Sequence, residues 1–543
     1  MIAALVVLLA LWLAAPVPGQ PADKPAAAEP GEPDIVLPEV ILRIEDFSVE
    51  NVEGALPTGE EALPPARELP LPAREELAVS EPVAPLQLGS PAGPAPGAAE
   101  RALSAQAEFG AGSMNHVFGQ VALFGVGQEP RFRLRFLHET LDGMGGERPG
   151  LGFNFREDSL EGGLKFGLGA ASLEAAGTLR EEERGLQGQG LALEPFGSRL
   201  LRQGSLAADL TWPFAEHWSL TGSLAGSFAT QLLTGPSPEA FTELLVSPML
   251  SLELRYPRFQ LALESRYALR QDPVQRAAAL LRLGLDLAEA WRLEASGGWR
   301  WDSLTGHLLP FHASLTGAPW PSFSFQAGGG FRVEELNAGD LLTAFPFSAL
   351  PAAAIRDNPG WYADLAATFS LRQAFSLQTA LRLAWPEARP EAQPAPDPPD
   401  PLGQGLLPPV RQQAAQQAEV EAALAWTPGR QTSLRAAWSM QLLDRPAFVP
   451  ANELRVDGEA ATRSGRWGAR SEFVFRWGYD PAPPAFTLMP ELSLSGYFQA
   501  SEAIRVTAEF EDLLQPFNDG PRLIWDPFVA PGVRGTMKIQ INL

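Results

Sequence analysis

Apolar and polar positions alternate through most of this chain, most plainly in residues 291–301, WRLEASGGWRW. Trp291, Leu293, Ala295, Gly297, Trp299 and Trp301 fall on one parity, and Arg292, Glu294, Ser296, Gly298 and Arg300 on the other. Side chains of a strand point alternately to opposite faces, so one face is apolar with aromatic ends and the other is charged. A strand of a soluble sandwich alternates too, but its charged face looks outward at water. The length points to another medium. Ten steps of ~3.3 Å, tilted by ~45°, rise roughly 25 Å, the height of the apolar band of an outer-membrane barrel. Tryptophan at each end suits the two membrane interfaces, because its ring is apolar with one polar edge. The charged parity then faces a wet lumen.

The two-residue period recurs at 160–168, 173–179, 250–256, 259–267, 323–333, 361–371, 377–385, 420–426, 434–440, 467–477 and 533–543, and less regularly at 105–112, 117–126 and 454–461. Short turns join many of these, at 213–217, 257, 288–290, 318–321, 373–374, 428–430 and 500–502. After several turns the chain repeats itself, as HWSL, AWRL, AFSL and AIRV. The other connections, 180–203, 337–360, 386–416 and 513–531, are long and polar. Short turns on one side and long loops on the other are the asymmetry of bacterial outer-membrane barrels, whose long loops face outward. Counting back from 533–543, which runs down to the periplasm, gives about 22 strands. The expected fold is all-β: a transmembrane antiparallel barrel over residues 104–543.

Two segments fall outside this pattern. Residues 2–15 are uninterrupted apolar and lead into Pro16, Val17, Pro18 and Gly19. That run is short for a spanning helix and reads as a signal-peptide core, giving residues 1–19 as a leader and an exported chain. Residues 20–103 are rich in Pro, Ala and Glu, with fifteen prolines between Pro21 and Pro96. They hold about half of the net charge of −23. Such a stretch cannot bury a core and is expected to be a disordered, acidic periplasmic arm. Within it, residues 34–56 are β-branched and apolar, suited to ordering on contact with something.

Composition narrows the chemistry. With no cysteine, disulfides and thiolate metal sites are excluded. The acidic balance argues against nucleic acid, which calls for clustered Lys and Arg. The five histidines, His116, His138, His217, His307 and His312, sit in no nucleophile motif, and no G-x-S-x-G is present. No enzyme, cofactor or metal is expected. Glu181, Glu182 and Glu183 read as a solvated face of an outer loop. The constellation that remains is the inward parity: Lys165, Arg255, Arg266, Arg292, Glu294, Arg300, Asp364, Arg382, Arg435, Arg505, Glu509 and Lys538 as lumen-lining residues. They either filter solutes by charge or pair across neighbouring strands and solvate the wall.

Residues 504–543 read IRVTAEFEDLLQPFNDGPRLIWDPFVAPGVRGTMKIQINL. A strand, an acidic-Leu-Leu element with Pro-Phe-Asn, a long loop and a Pro-Gly-x-Arg opening to the last strand follow in order. This resembles the closing strands of TonB-dependent outer-membrane transporters, as the strand count does their barrel. In that family a plug domain ahead of the barrel fills the lumen; residues 21–103 are too short and Pro-rich to be that plug. The resemblance also implies an extended peptide near the mature N-terminus that a periplasmic partner pairs with as an added strand. Asp34, Ile35, Val36, Leu37, Val40 and Ile41 fit it, within residues 34–43.

Two functions are therefore expected of the barrel. One is a transporter or channel for small polar solutes, TonB-receptor-like or porin-like. The other is a structural or tethering barrel whose acidic arm binds a periplasmic partner, with outer-membrane lipid as the partner of the wall.

Overall fold

The computed structural model describes residues 103–125, 130–187, 197–233, 239–271, 274–348, 355–371, 374–392, 410–429, 431–445, 449–478, 490–517, 523–525 and 528–543. Every described residue lies in the unit Pro82–Leu543. The expected leader, nearly all of the arm and the peptide at 34–43 lie outside the described residues.

Twenty-two antiparallel strands form one closed barrel, each paired with its sequence neighbours. It closes where the first strand, Leu103–Gly112, pairs with the last, Arg534–Asn542, from Gln106 opposite Asn542 to Gly112 opposite Thr536. Closure leaves no free edge, so every strand backbone finds its partner in the ring. The stretches read at 105–112, 117–126 and 454–461 are strands, at Leu103–Gly112, Val117–Gly125 and Asn452–Ala461.

One parity of the wall is apolar and exposed. On Phe375–Pro386, Phe375 and Trp385 stand exposed ten residues apart, which is roughly 25 Å of tilted strand. Around the ring, Trp212, Trp218, Tyr256, Trp320, Trp426 and Trp467 mark the short-turn end, and Tyr267, Trp299, Phe311, Trp361 and Trp385 the long-loop end. These are the two aromatic rims of a membrane band. Arginine in place of Leu381, on the apolar parity between Leu365 and Val420, is expected to cost ~2–4 kcal/mol. Arg382→Leu, on the opposite parity, should stay within ~1 kcal/mol. Reversible unfolding in lipid measures both, and the reverse order would overturn the assignment of faces.

The strands near one side are longer than the sequence pattern indicated. Ala171–Gly185 and Ser198–Ala215 take up much of the expected loop 180–203, and Ser198–Ala215 and Glu239–Tyr256 reach 18 residues each. Above the membrane band no lipid demands an apolar outer face, so alternation fades while the ladder continues; only pairing reveals the strand. Glu181, Glu182 and Glu183 accordingly lie in a strand. Glu182 is buried beside Arg180, Arg184 and Arg199, while Glu181 pairs with Arg202 at 2.7 Å.

Candidate functional site

Few side chains in the membrane band are fully buried; the buried clusters gather at the long-loop end. Between the strands Phe323–Glu334 and Asn358–Leu371 the chain turns back against the inner wall. Its first part is a helix, Ala338–Ala344. Asn337 caps it, its side chain accepting from the Asp340 N–H at 2.8 Å. Ala338, Leu341 and Leu342 recur at helical spacing and are buried, and Ala229, Leu336 and Ile355 cluster with the first two.

Polar groups from six neighbouring strands hold this segment. Gln203 donates to the Gly339 carbonyl at 2.7 Å, and Gln231 to that of Ser348 at 3.2 Å. Arg199 donates to the Pro346 carbonyl, and Arg270 to that of Ile355 at 2.9 Å. Glu243 accepts from the Ala338 N–H at 2.9 Å and pairs with Arg270 at 2.7 Å. Beyond them lies a balanced network of three cations and three anions. Arg276 contacts Asp302 at 3.1 Å and Asp357 at 2.6 Å; Arg300 contacts Asp357 and, at 2.9 Å, Glu335; Arg266 reaches Glu335 at 3.1 Å. Asp357 is fully buried, and burial pushes its carboxyl up against the pull of Arg276 and Arg300. Buried charges are tolerated only when paired in this way.

Other loops close on the same place. Phe347 stacks on Phe528 with ring centroids 3.8 Å apart, in a cluster with Leu186 and Leu233. The Gln187 amide clamps Val529, donating to its carbonyl at 3.0 Å and accepting from its N–H at 2.7 Å. Gly145, at φ 70, donates to the Pro531 carbonyl at 2.9 Å. A Cβ there would meet Val529 at 2.9 Å, so glycine lets the two loops touch. On another side, the strands Arg389–Ala392 and Val410–Gln413 pair, and Gln412 of the second exchanges two hydrogen bonds with the Arg356 backbone.

Most of the charged residues expected on the inward parity are found paired. Lys165 meets Glu174 at 3.0 Å, Arg255 its neighbour Glu253, and Arg292 both Asp286 at 3.0 Å and Glu294 at 2.7 Å. Arg382 bridges Glu419 and Glu421, each at 3.3 Å, and Lys538 meets Glu509 at 2.7 Å. Arg505 stacks over Tyr497 and donates to Gln499. Asp364 lies opposite Arg382, and the two share a cavity of about 270 Å³ with Arg332 and Glu419. Arg435 is exposed, opposite Asp457 in register. Arg266 and Arg300 alone of the twelve join the buried network.

Sequence reasoning missed Arg270, Arg276 and Asp302, which continue the inward parity of Arg266, Arg282 and Arg300 toward the long-loop end. Extending the count by two, four or six residues finds them. Glu335 and Asp357 carry no such signal, because a loop has no period. Among the described residues, no group of three or more His, Asp or Glu is placed to hold a metal ion.

No protein-family model matches the sequence, and no curated protein matches it. The barrel is similar in structure to the ferric enterobactin receptor of Pseudomonas aeruginosa, at 10% identity and a TM-score of 0.61, covering 81% of each chain. It is similar to the alcaligin outer-membrane receptor of Bordetella pertussis, at 12% identity and TM-score 0.56, covering 81% of this chain and 76% of that one. A third likeness is to the copper transporter OprC, at 12% identity and TM-score 0.60, covering 81% and 80%. At such identity the likeness is one of fold: the closed barrel of TonB-dependent outer-membrane receptors, with the apolar wall and aromatic rims of an outer-membrane protein.

Proposed function

We propose that this chain is an outer-membrane transporter or channel for small polar solutes, working by passage and not by covalent chemistry. The observation that carries the reading is the loop segment held against the inner wall by side chains of six strands. A segment anchored by so many buried polar contacts narrows the way through at a fixed place, and a fixed narrowing sorts solutes by size and charge. The paired Arg and Glu residues keep the wall hydrated without giving it one sign. The charged inner parity named from the sequence lines that path.

Full-length protein in planar bilayers tests the proposal. Discrete current steps in KCl are the expected result, and a reconstituted barrel that passes no ions would overturn it. That second outcome would favour the tethering reading, for which the knitting of Gln187 to Val529 and of Phe347 to Phe528 speaks. In that case the peptide at 34–43 is the contact to a periplasmic partner, by strand addition. Val40→Pro with Ile41→Asp should then abolish crosslinking to that partner; unchanged crosslinking would exclude the peptide.

A further inference from the structure

One sector of the inner wall is built differently from the rest. Among the Arg–Glu pairs, three neighbouring strands, Ala171–Gly185, Ser198–Ala215 and Trp218–Leu233, place small hydroxyl side chains side by side. Register aligns them into a row: Glu161 opposite Thr178, Thr178 opposite Ser205, and Ser205 opposite Ser227. The Thr178 and Ser205 hydroxyls are 2.8 Å apart. The next row toward the long-loop end runs Ser159, Arg180, Gln203, Ala229 and Glu243. Over both rows lies the short helix, contributing Asn337, Asp340 and Thr343, and together they line an open cavity of about 540 Å³. Gln203 ties floor to roof, donating to the Gly339 carbonyl and, at 3.1 Å, to the Thr343 hydroxyl.

The charged groups of the cavity floor are ion-paired, whereas Asp340 on the exposed side of the helix is hydrogen-bonded by a neutral amide. Arg180 donates to Glu157 and Glu182, each at 2.8 Å; Glu243 pairs with Arg270; Glu161 faces Arg135 at 3.6 Å; Asp340 accepts from Asn337. A charged solute seated on the floor would have to break one of these ion pairs and leave its partner uncompensated. A neutral solute would not. Hydroxyls both donate and accept, so a row of them can meet a solute whose own groups do both. The volume lies within the ~300–1,000 Å³ usual for small-molecule sites.

We propose that this cavity binds a small neutral polyhydroxylated solute, a mono- or disaccharide, through the Thr178–Ser205–Ser227 row with Arg180, Gln203 and Asp340. This rests on the reading of the barrel as a passage for polar solutes and names the class of solute. Calorimetric titration of the full-length protein in detergent with glucose, maltose and raffinose tests it, with spermidine and citrate as charged counter-probes. At least one sugar should saturate and neither charged probe should. The double variant Thr178→Val, Ser205→Ala should weaken sugar binding about tenfold, and Thr178→Ser alone should keep it within about twofold. Heat-modifiable mobility on gels confirms that each variant is a folded barrel. Saturation by none of the three sugars, equal binding of a charged probe, or unchanged affinity in the double variant would each overturn the proposal. Because binding is read without conductance, sugar binding by a barrel that passes no ions would sink the channel reading and leave the site standing. A conducting barrel that binds no sugar would do the reverse.

Discussion

Asp357→Ala is expected to destabilise the protein by about 3–5 kcal/mol, among the largest effects of any single substitution here. Asp357 is fully buried and touches two guanidinium groups, Arg276 at 2.6 Å and Arg300. Removing the carboxylate leaves two buried cations side by side with only Asp302 and Glu335 to answer them. The desolvation already suffered by both arginines is then unpaid, and that penalty exceeds the worth of the lost contacts themselves. The Leu336 N–H, which donates to Asp357 at 3.4 Å, loses its acceptor as well. The damage should fall first on the inner segment. Arg356 is exposed beside this contact, so release of the segment should raise the rate of tryptic cutting after Arg356 in the folded barrel. Reversible unfolding in lipid gives the energy and proteolysis gives the place. Asp340→Ala, on the exposed side of the segment's helix Ala338–Ala344, serves as the contrast and should change stability by under ~1 kcal/mol. A cost for Asp357→Ala as small as that would mean the network does not hold the segment.

The barrel was legible because a membrane imposes one rule on every strand. Each must be apolar toward lipid and polar toward the interior, so the period of two survives wherever both media are present. The run 291–301 displays it with a tryptophan at each end, and its neighbours repeat it often enough to be counted. The rule fails where the lipid stops. Residues 180–185 and 198–203 are strand beyond the lipid, and Glu182, Arg199 and Leu201 are buried there, so charged and apolar residues lose their order and the ladder alone defines them. The inner wall was legible as a face but not as a set of partners. Lys165 and Glu174, or Arg382 and Glu419, meet only because register sets them opposite, and register depends on turns and pairing that a single strand does not encode. The inner segment was the least legible. Its helix of seven residues is shorter than a periodic signal requires, and Glu335 and Asp357 find their arginines 35 to 81 positions away along the chain.

Phe347→Ala tests whether the long-loop end is one cooperative unit. Phe347 is fully buried, stacked on Phe528, within 5.6 Å of the Arg184 guanidinium, and clustered with Leu186 and Leu233. Truncating a buried aromatic loses its transfer energy and leaves a cavity, about 3–5 kcal/mol together. In the membrane band a loss of that size would weaken the whole barrel. Here the contacts join loops to one another above it, so the loss should be spent on local opening while the strand ladder stays closed. Hydrogen exchange separates the two outcomes. The amides of Leu186, Gln187 and Val529 should exchange faster by a factor of about 10²–10³, while those of the strands Trp361 and Leu381 lie in should not change. Phe528→Ala should do the same, and the double variant should cost clearly less than the sum of the two, because each ring is the other's partner. Additive effects, or faster exchange throughout the barrel, would show that the stack is a local ornament of one loop and that no joint cap exists.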